Sequence, residues 1–196
     1  MALQTWVNLI NAGVPWQTSA GTALSATATT ATISPQAAGP QDFILPTQLS
    51  GTQWYEDMTL KVEAYGTAGS GGTASNLTVF LAAGVSGTLA TTLSTTAAIA
   101  LGTGSLSGLE WKLLATIRVI NIGSSGNTLT TEGHFDIQTS TAALAIGTAN
   151  MTVAPLPVTS VAFNTYTAAT ALGLRATLSA AFGNIQCNSF QIYQIA

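Results

Sequence analysis

Between Met58 and Tyr65 the side chains alternate one by one: Met58, Leu60, Val62 and Ala64 are apolar, and Thr59, Lys61, Glu63 and Tyr65 lie between them. A period of two marks a half-buried strand, because successive side chains of an extended chain point to opposite faces. The alternation returns at Leu77, Val79 and Leu81, is halted by Gly84 and Gly87, and continues less sharply at Leu89 to Leu93 and Ala97 to Leu101. Its clearest instance is Glu110 to Ile122. There Trp111, Leu113, Ala115, Ile117 and Val119 share one face, while Lys112, Leu114, Thr116, Arg118 and Ile120 share another that is only partly polar. Gly123-Ser124-Ser125-Gly126-Asn127 supplies glycines for the positive φ of a turn, and Thr128 to Gln138 returns with Leu129, Thr131, Gly133, Phe135 and Ile137 on one side. This pattern predicts a β-hairpin.

The remaining stretches fit the same scheme. Thr22 to Ile33 is a Thr/Ala alternation ending at Ser34-Pro35, Ala38-Gly39-Pro40 reads as a loop, and Phe43-Ile44-Leu45-Pro46 opens another element. Gly66 to Gly72 reads as a flexible loop, and Pro155-Leu156-Pro157 is expected to end any ladder. Leu172, Leu174, Ala176 and Leu178 make a strand with Gly173 and Arg175 opposite. After Gly183-Asn184 a closing strand runs through Ile185, Cys187, Phe190, Ile192 and Ile195. No amphipathic helix of ten residues stands out. Eight or so strands, spaced by about 8–20 residues, predict an all-β chain: an antiparallel β-sandwich of jelly-roll type over residues 17–196. Residues 1–16 differ, with Trp6, Val7, Leu9, Ile10, Val14, Pro15 and Trp16 packed into a short uncharged segment. Two tryptophans there are costly to leave in water. The segment is expected to be an extended N-terminal arm, folded back on its own domain or docked on a neighbour.

Composition sharpens this picture. Charged residues make up 6% of the chain, against about 25% in ordinary globular proteins, while Ala and Thr together supply about a third of it. Threonine suits a pleated, half-exposed surface, so hydroxyls replace lysine and glutamate as the polar covering. So few charges provide little self-repulsion, which points to a surface covered by neighbouring protein. The four bases, Lys61, Lys112, Arg118 and Arg175, are scattered and the net charge is −3, which argues against nucleic acid as a partner. No run of about 18 uninterrupted apolar residues exists, so no membrane-spanning helix is expected. The opening residues carry no base, unlike a secretory signal. Cys187 is the single cysteine and sits in an apolar stretch, as a buried small hydrophobe would.

Candidate chemistry is sparse. His134 is the one histidine and shares a strand face with Glu132 and Asp136, an arrangement that resembles a small acid/base cluster. Alternate residues on a strand lie about 7 Å apart, and one histidine with two carboxylates is a poor ligand set, so no metal is expected. The simpler expectation is a polar face whose charges meet Lys112 and Arg118 on the next strand. Glu56 and Asp57 are adjacent and diverge, so a carboxylate pair would need Asp42 and Glu63 to meet across strands. Gly69-Ser70-Gly71-Gly72 lacks the Lys-Ser/Thr ending of a phosphate loop. Asn76-Leu77-Thr78 and Asn150-Met151-Thr152 match glycosylation sequons but carry little weight without a secretory signal. Neither a catalytic residue nor a cofactor site is assigned.

The order Thr59-Leu60-Lys61-Val62-Glu63-Ala64-Tyr65-Gly66, Leu77-Thr78-Val79-Phe80-Leu81 and Gly87-Thr88-Leu89-Ala90-Thr91-Thr92 resembles a family of bacteriophage virion proteins. So do Trp111-Lys112-Leu113, Ile117-Arg118-Val119-Ile120-Asn121-Ile122-Gly123-Ser124-Ser125-Gly126 and the Leu172 to Tyr193 region. The family comprises minor capsid, head-decoration and tail-associated proteins, and the likeness covers roughly residues 17–195. It implies a jelly roll, often trimeric, mounted on the outside of the particle, with no catalytic residues. The partners implied are the major capsid protein and further copies of the chain, with the arm as the grip. A cement protein of the head is the leading expectation. The alternative is a tail, collar or baseplate component, or a head domain that reads a host glycan through Trp54-Tyr55 or Tyr166. An enzyme acting on carbohydrate is disfavoured for want of a carboxylate pair.

Overall fold

The computed structural model describes residues 24–25, 30–33, 43–45, 56–70, 75–85, 88–101, 106–122, 127–138, 151–163, 170–179 and 184–195. They form strands and their immediate flanks, with no helix among them. In chain order the strands are β1 (Leu24–Ser25), β2 (Ala31–Thr32), β3 (Phe43–Leu45), β4 (Thr59–Ser70), β5 (Ser75–Val85), β6 (Thr88–Thr95), β7 (Ile99–Leu101), β8 (Leu106–Asn121), β9 (Asn127–Gln138), β10 (Met151–Phe163), β11 (Thr170–Leu178) and β12 (Asn184–Gln194).

Two antiparallel sheets pack face to face. One, sheet A, has the order β1-β12-β4-β8-β9-β10; the other, sheet B, has β2-β11-β5-β6, with β3 also on β11 and β7 also on β5. The twelve strands among the described residues exceed the eight or so expected, and the surplus has a simple origin. β2 and β3 share one row along β11, and β6 and β7 share one row along β5. Taking each row once and setting β9 and β10 aside leaves eight strands. The first pairs the eighth (β1·β12), the second the seventh (β2·β11), the third the sixth (β4·β8) and the fourth the fifth (β5·β6). A long hairpin rolled up in this way is a jelly roll, and β9 and β10 widen one of its sheets.

The alternation read from the sequence decides what is buried. Leu60, Val62 and Ala64 of β4, Leu113, Ile117 and Val119 of β8, and Leu129, Phe135 and Ile137 of β9 face the interior, against Leu77, Val79 and Leu81 of β5 and Leu174 and Ala176 of β11. Trp111 and Phe135 stack at a tilt, with ring centroids 5.3 Å apart. The sheets are also tied by polar contacts along one side. Buried Thr131 donates its hydroxyl to the Leu93 carbonyl at 2.9 Å, and Ser94 donates to the Pro157 carbonyl at 3.0 Å. The first joins β9 to β6 and the second β6 to β10, so both cross between the sheets.

Three expectations are corrected. Gly66 to Ser70 is not a loop, since β4 continues through it, paired with both β8 and β12. Gly66 is glycine for space, because a Cβ there would meet the Gln186 carbonyl and the Trp111 ring. Pro155-Leu156-Pro157 does not end the ladder either. β10 is the outermost strand of sheet A, where a proline nitrogen facing away from β9 forfeits no bond, and Pro157 falls in a bulge where it and Val158 together oppose Glu132. Third, Ile195 lies beyond β12 and is 58% exposed. In β12 itself Asn188 is an extra residue between Cys187 and Ser189, so the inward set shifts phase from Ile185 and Cys187 to Phe190 and Ile192. The arm residues Trp6 to Trp16 lie outside the described residues.

Candidate functional site

Charge is segregated between the sheets. Lys61 and Glu63 on β4, Glu110, Lys112 and Arg118 on β8, and Glu132, His134 and Asp136 on β9 all take the strand positions that alternate with core residues, so they stand on the outer face of sheet A. On the strands of sheet B the one charged side chain is Arg175, whose Nη1 donates to the Leu89 carbonyl at 3.1 Å. Its neighbours by register are Phe80 and Thr32, and Thr78 stands opposite Thr177. The Thr30 and Thr177 hydroxyls meet at 2.7 Å. Among the described residues, the outer face of sheet A therefore carries the charge, while that of sheet B presents threonine, Asn76, Phe80 and the single Arg175.

The charged face organises itself by short pairs. Lys61 Nζ lies 2.6 Å from Glu63 Oε1, and the hydrogen bond from that ammonium, with a further one from the Tyr65 hydroxyl, holds the Glu63 carboxyl below its ordinary value. Arg118 Nη2 lies 2.6 Å from Asp57 Oδ1. Asp57 sits in a turn with φ 68°, a conformation aspartate tolerates better than most residues, and its N–H donates to the Val119 carbonyl at 2.9 Å. Both side chains are more than half exposed, so the pair contributes at most about 1 kcal/mol. The sequence expectation that Arg118 and Lys112 would pair with the β9 carboxylates is thus corrected for Arg118. Lys112 does stand opposite Asp136, but its Nζ lies over the Tyr65 ring at 5.5 Å.

His134 is brought beside Asp136, Nε2 to Oδ2 at 3.5 Å, while Asp136 Oδ1 is buried and accepts no hydrogen bond among the described residues. Across the ladders His134 faces Leu114 on β8 and Pro155 on β10. Neither of these two register partners can act as nucleophile or orient a base. Two adjoining open grooves run along this face. One encloses about 480 Å³ and is lined by Lys61, Thr116, Glu132, His134, Leu156 and Pro157 among others; the second encloses about 630 Å³ between Asp57, Thr59, Thr116, Arg118, Ile120, Thr130 and Glu132. Among the described residues no three His, Cys, Asp or Glu side chains gather as metal ligands, and no helix is long and apolar enough to cross a membrane. Asp42, Trp54, Tyr55 and Tyr166 lie outside the described residues.

Cys187 is fully buried in the core and donates its S–H to the Ser189 carbonyl at 3.2 Å. Burial pushes the thiol up to about 12, so the reactive thiolate is suppressed in the native state. In native protein at pH 8 Cys187 is therefore expected to resist a water-soluble disulfide reagent, and to react completely once urea unfolds the chain. Rapid labelling of the folded protein, read by absorbance of the released thiolate, would contradict its place in the core.

Compared with known proteins, the chain matches no family model, no curated protein and no solved structure.

Proposed function

We propose that this chain is a structural subunit of a bacteriophage particle, a capsid decoration or cement protein that binds the outside of the head shell and stiffens it without performing chemistry. The observation that carries the reading is the division of charge between the sheets. A face of threonine, Asn76, Phe80 and one internally bonded arginine can be covered by another protein with little stripping of water from ions, which is the costly part of burying a polar surface. The cores of protein interfaces are depleted of charge for the same reason. The charged face of sheet A is left to meet solvent. The partners in this reading are the major capsid protein and further copies of the chain, arranged as a homotrimer, with Trp6 to Trp16 as the shell-gripping arm. Modest affinity per copy suffices, because many equivalent sites on one shell act together.

A second reading has one observation in its favour. The groove between Asp57, Arg118 and Glu132 sets two carboxylates and three threonine hydroxyls around the exposed Ile120, the kind of polar surface a host glycan engages, as in a tail or baseplate receptor-binding domain. Purified particles decide between the two. Quantitative mass spectrometry is expected to find the chain in numbers comparable to the shell's symmetry sites, and a chain lacking residues 1–16 is expected to fold but no longer bind stripped heads. A dozen copies located on the tail would favour the second reading. Absence from mature particles would refute both.

A further inference from the structure

The two grooves on the outer face of sheet A are one trough. Thr116 and Glu132 line both, so the grooves meet at the middle of β8. We propose that this trough is a binding site for an uncharged, linear saccharide lying along β8 from Ile120 to Leu114. The inference rests on the groove of the second reading above and gives its ligand a chemical class. It does not depend on where in a particle the chain sits.

The ladders set the layout. At about 3.4 Å per residue, the stretch of β8 from Ile120 to Leu114 is about 20 Å long. Two rows of side chains cross it: Thr59, Arg118 and Thr130, then Lys61, Thr116 and Glu132. With strands about 4.8 Å apart, each row is about 10 Å wide. Ile120 stands at one end, and Leu114 and Pro157 at the other, so apolar C–H surface flanks the hydroxyls. Between them the floor is low. Thr116 is short, and Gly133 admits no side chain, because a Cβ there would meet the Leu114 carbonyl.

Charge selects the ligand. Arg118 is matched by Asp57 and Lys61 by Glu63, each at 2.6 Å. Glu132 is exposed and has no hydrogen-bond or ion-pair partner among the described residues. An anion would therefore meet the Glu132 carboxylate while both bases are already paired. A cation would meet Arg118 and Lys61. An uncharged ligand avoids both penalties, and a chain of hydroxyls can donate to Glu132 while accepting from Thr116, Thr130 and Arg118. Saccharides carry such hydroxyls beside C–H faces, which suit Ile120 and Pro157. The trough is open, so each site holds its ligand weakly, and a repeating saccharide gains by engaging several copies at once.

The full-length chain, clustered on beads, tests this on surfaces coated with neutral polysaccharides (mannan, dextran and galactan) or with acidic ones (polysialate and polygalacturonate). Retention is expected on at least one neutral coating and on neither acidic one. Glu132→Gln and Thr116→Val are each expected to lower it roughly fivefold or more, the loss of one hydrogen bond, with thermal melts matching the parent's. Glu110→Gln makes the same change on the same face about 20 Å away and is expected to leave retention unchanged. No retention on any neutral coating, retention on the acidic coatings instead, a basic peptide that displaces the saccharide, or equal losses from Glu110→Gln and Glu132→Gln would each overturn the proposal. Copy number on purified particles is read independently: a chain abundant on the head that still binds a neutral coating would remove the tail reading and keep this site.

Discussion

Gly66→Ala is expected to lower the melting temperature by about 10 °C, an outsized effect for one methyl group. The added Cβ would enter the space of the Gln186 carbonyl on one side and the Trp111 ring on the other. Neither yields readily. The carbonyl belongs to the backbone of β12, and β4 is held between β12 and β8 by continuous ladders. The indole is pinned as well, because Trp111 Nε1 donates to the Thr67 carbonyl at 3.2 Å and its ring packs on Phe135. Overpacking costs about 1–3 kcal/mol, and a backbone atom on one side puts this case at the upper end. For a chain of this size each kcal/mol corresponds to about 2–4 °C. A thermal melt followed by tryptophan fluorescence measures it, and a midpoint within about 2 °C of the parent would show that the contact is loose.

Phe135→Ala should be costlier still, about 3–5 kcal/mol, by opening a cavity between the sheets. Phe135 is fully buried, stands between Leu113 and Ala154 in the ladders of β8 and β10, and supports Trp111 from beneath. Phe135→Leu, which keeps most of the volume, is expected to cost less than about 1.5 kcal/mol. Urea titrations should show the midpoint falling with little change in slope, since the surface exposed on unfolding is nearly unaltered. Equal losses for the two variants would mean that aromatic stacking, and not volume, is what the site requires.

These two positions also show how far the sequence could be read. Phe135 was legible, because strict alternation from Leu129 to Ile137 leaves only one side for it, and the turn at Gly123 to Asn127 fixes its hairpin partner. Gly66 was not. Glycine followed by Thr-Ala-Gly-Ser has the composition of a loop, and only the approach of the Gln186 carbonyl and of the Trp111 ring, both distant in the chain, makes glycine a requirement of a strand. Pro155 and Pro157 misled for a related reason: a proline argues against a central strand, but whether a strand is central is a property of the whole sheet. The candidate site divides in the same way. The charges were placed on the right faces by alternation alone, yet the Asp57–Arg118 pair depended on a turn conformation at Asp57 that no periodicity encodes. Likewise the contrast between sheet A and sheet B emerged only once the pairing order was known.

The prolines of β10 have a bearing on crowding. A strand with an unobstructed rim recruits the rim of another molecule, and a threonine- and alanine-rich chain with few ions to repel its copies is exposed to that hazard at high concentration. Pro155 and the bulge at Pro157 deny any newcomer a regular hydrogen-bonding template along this border, while Ser94 and Thr131 fasten the neighbouring sheet against it. Strand-to-strand growth into fibres is thereby discouraged on this flank.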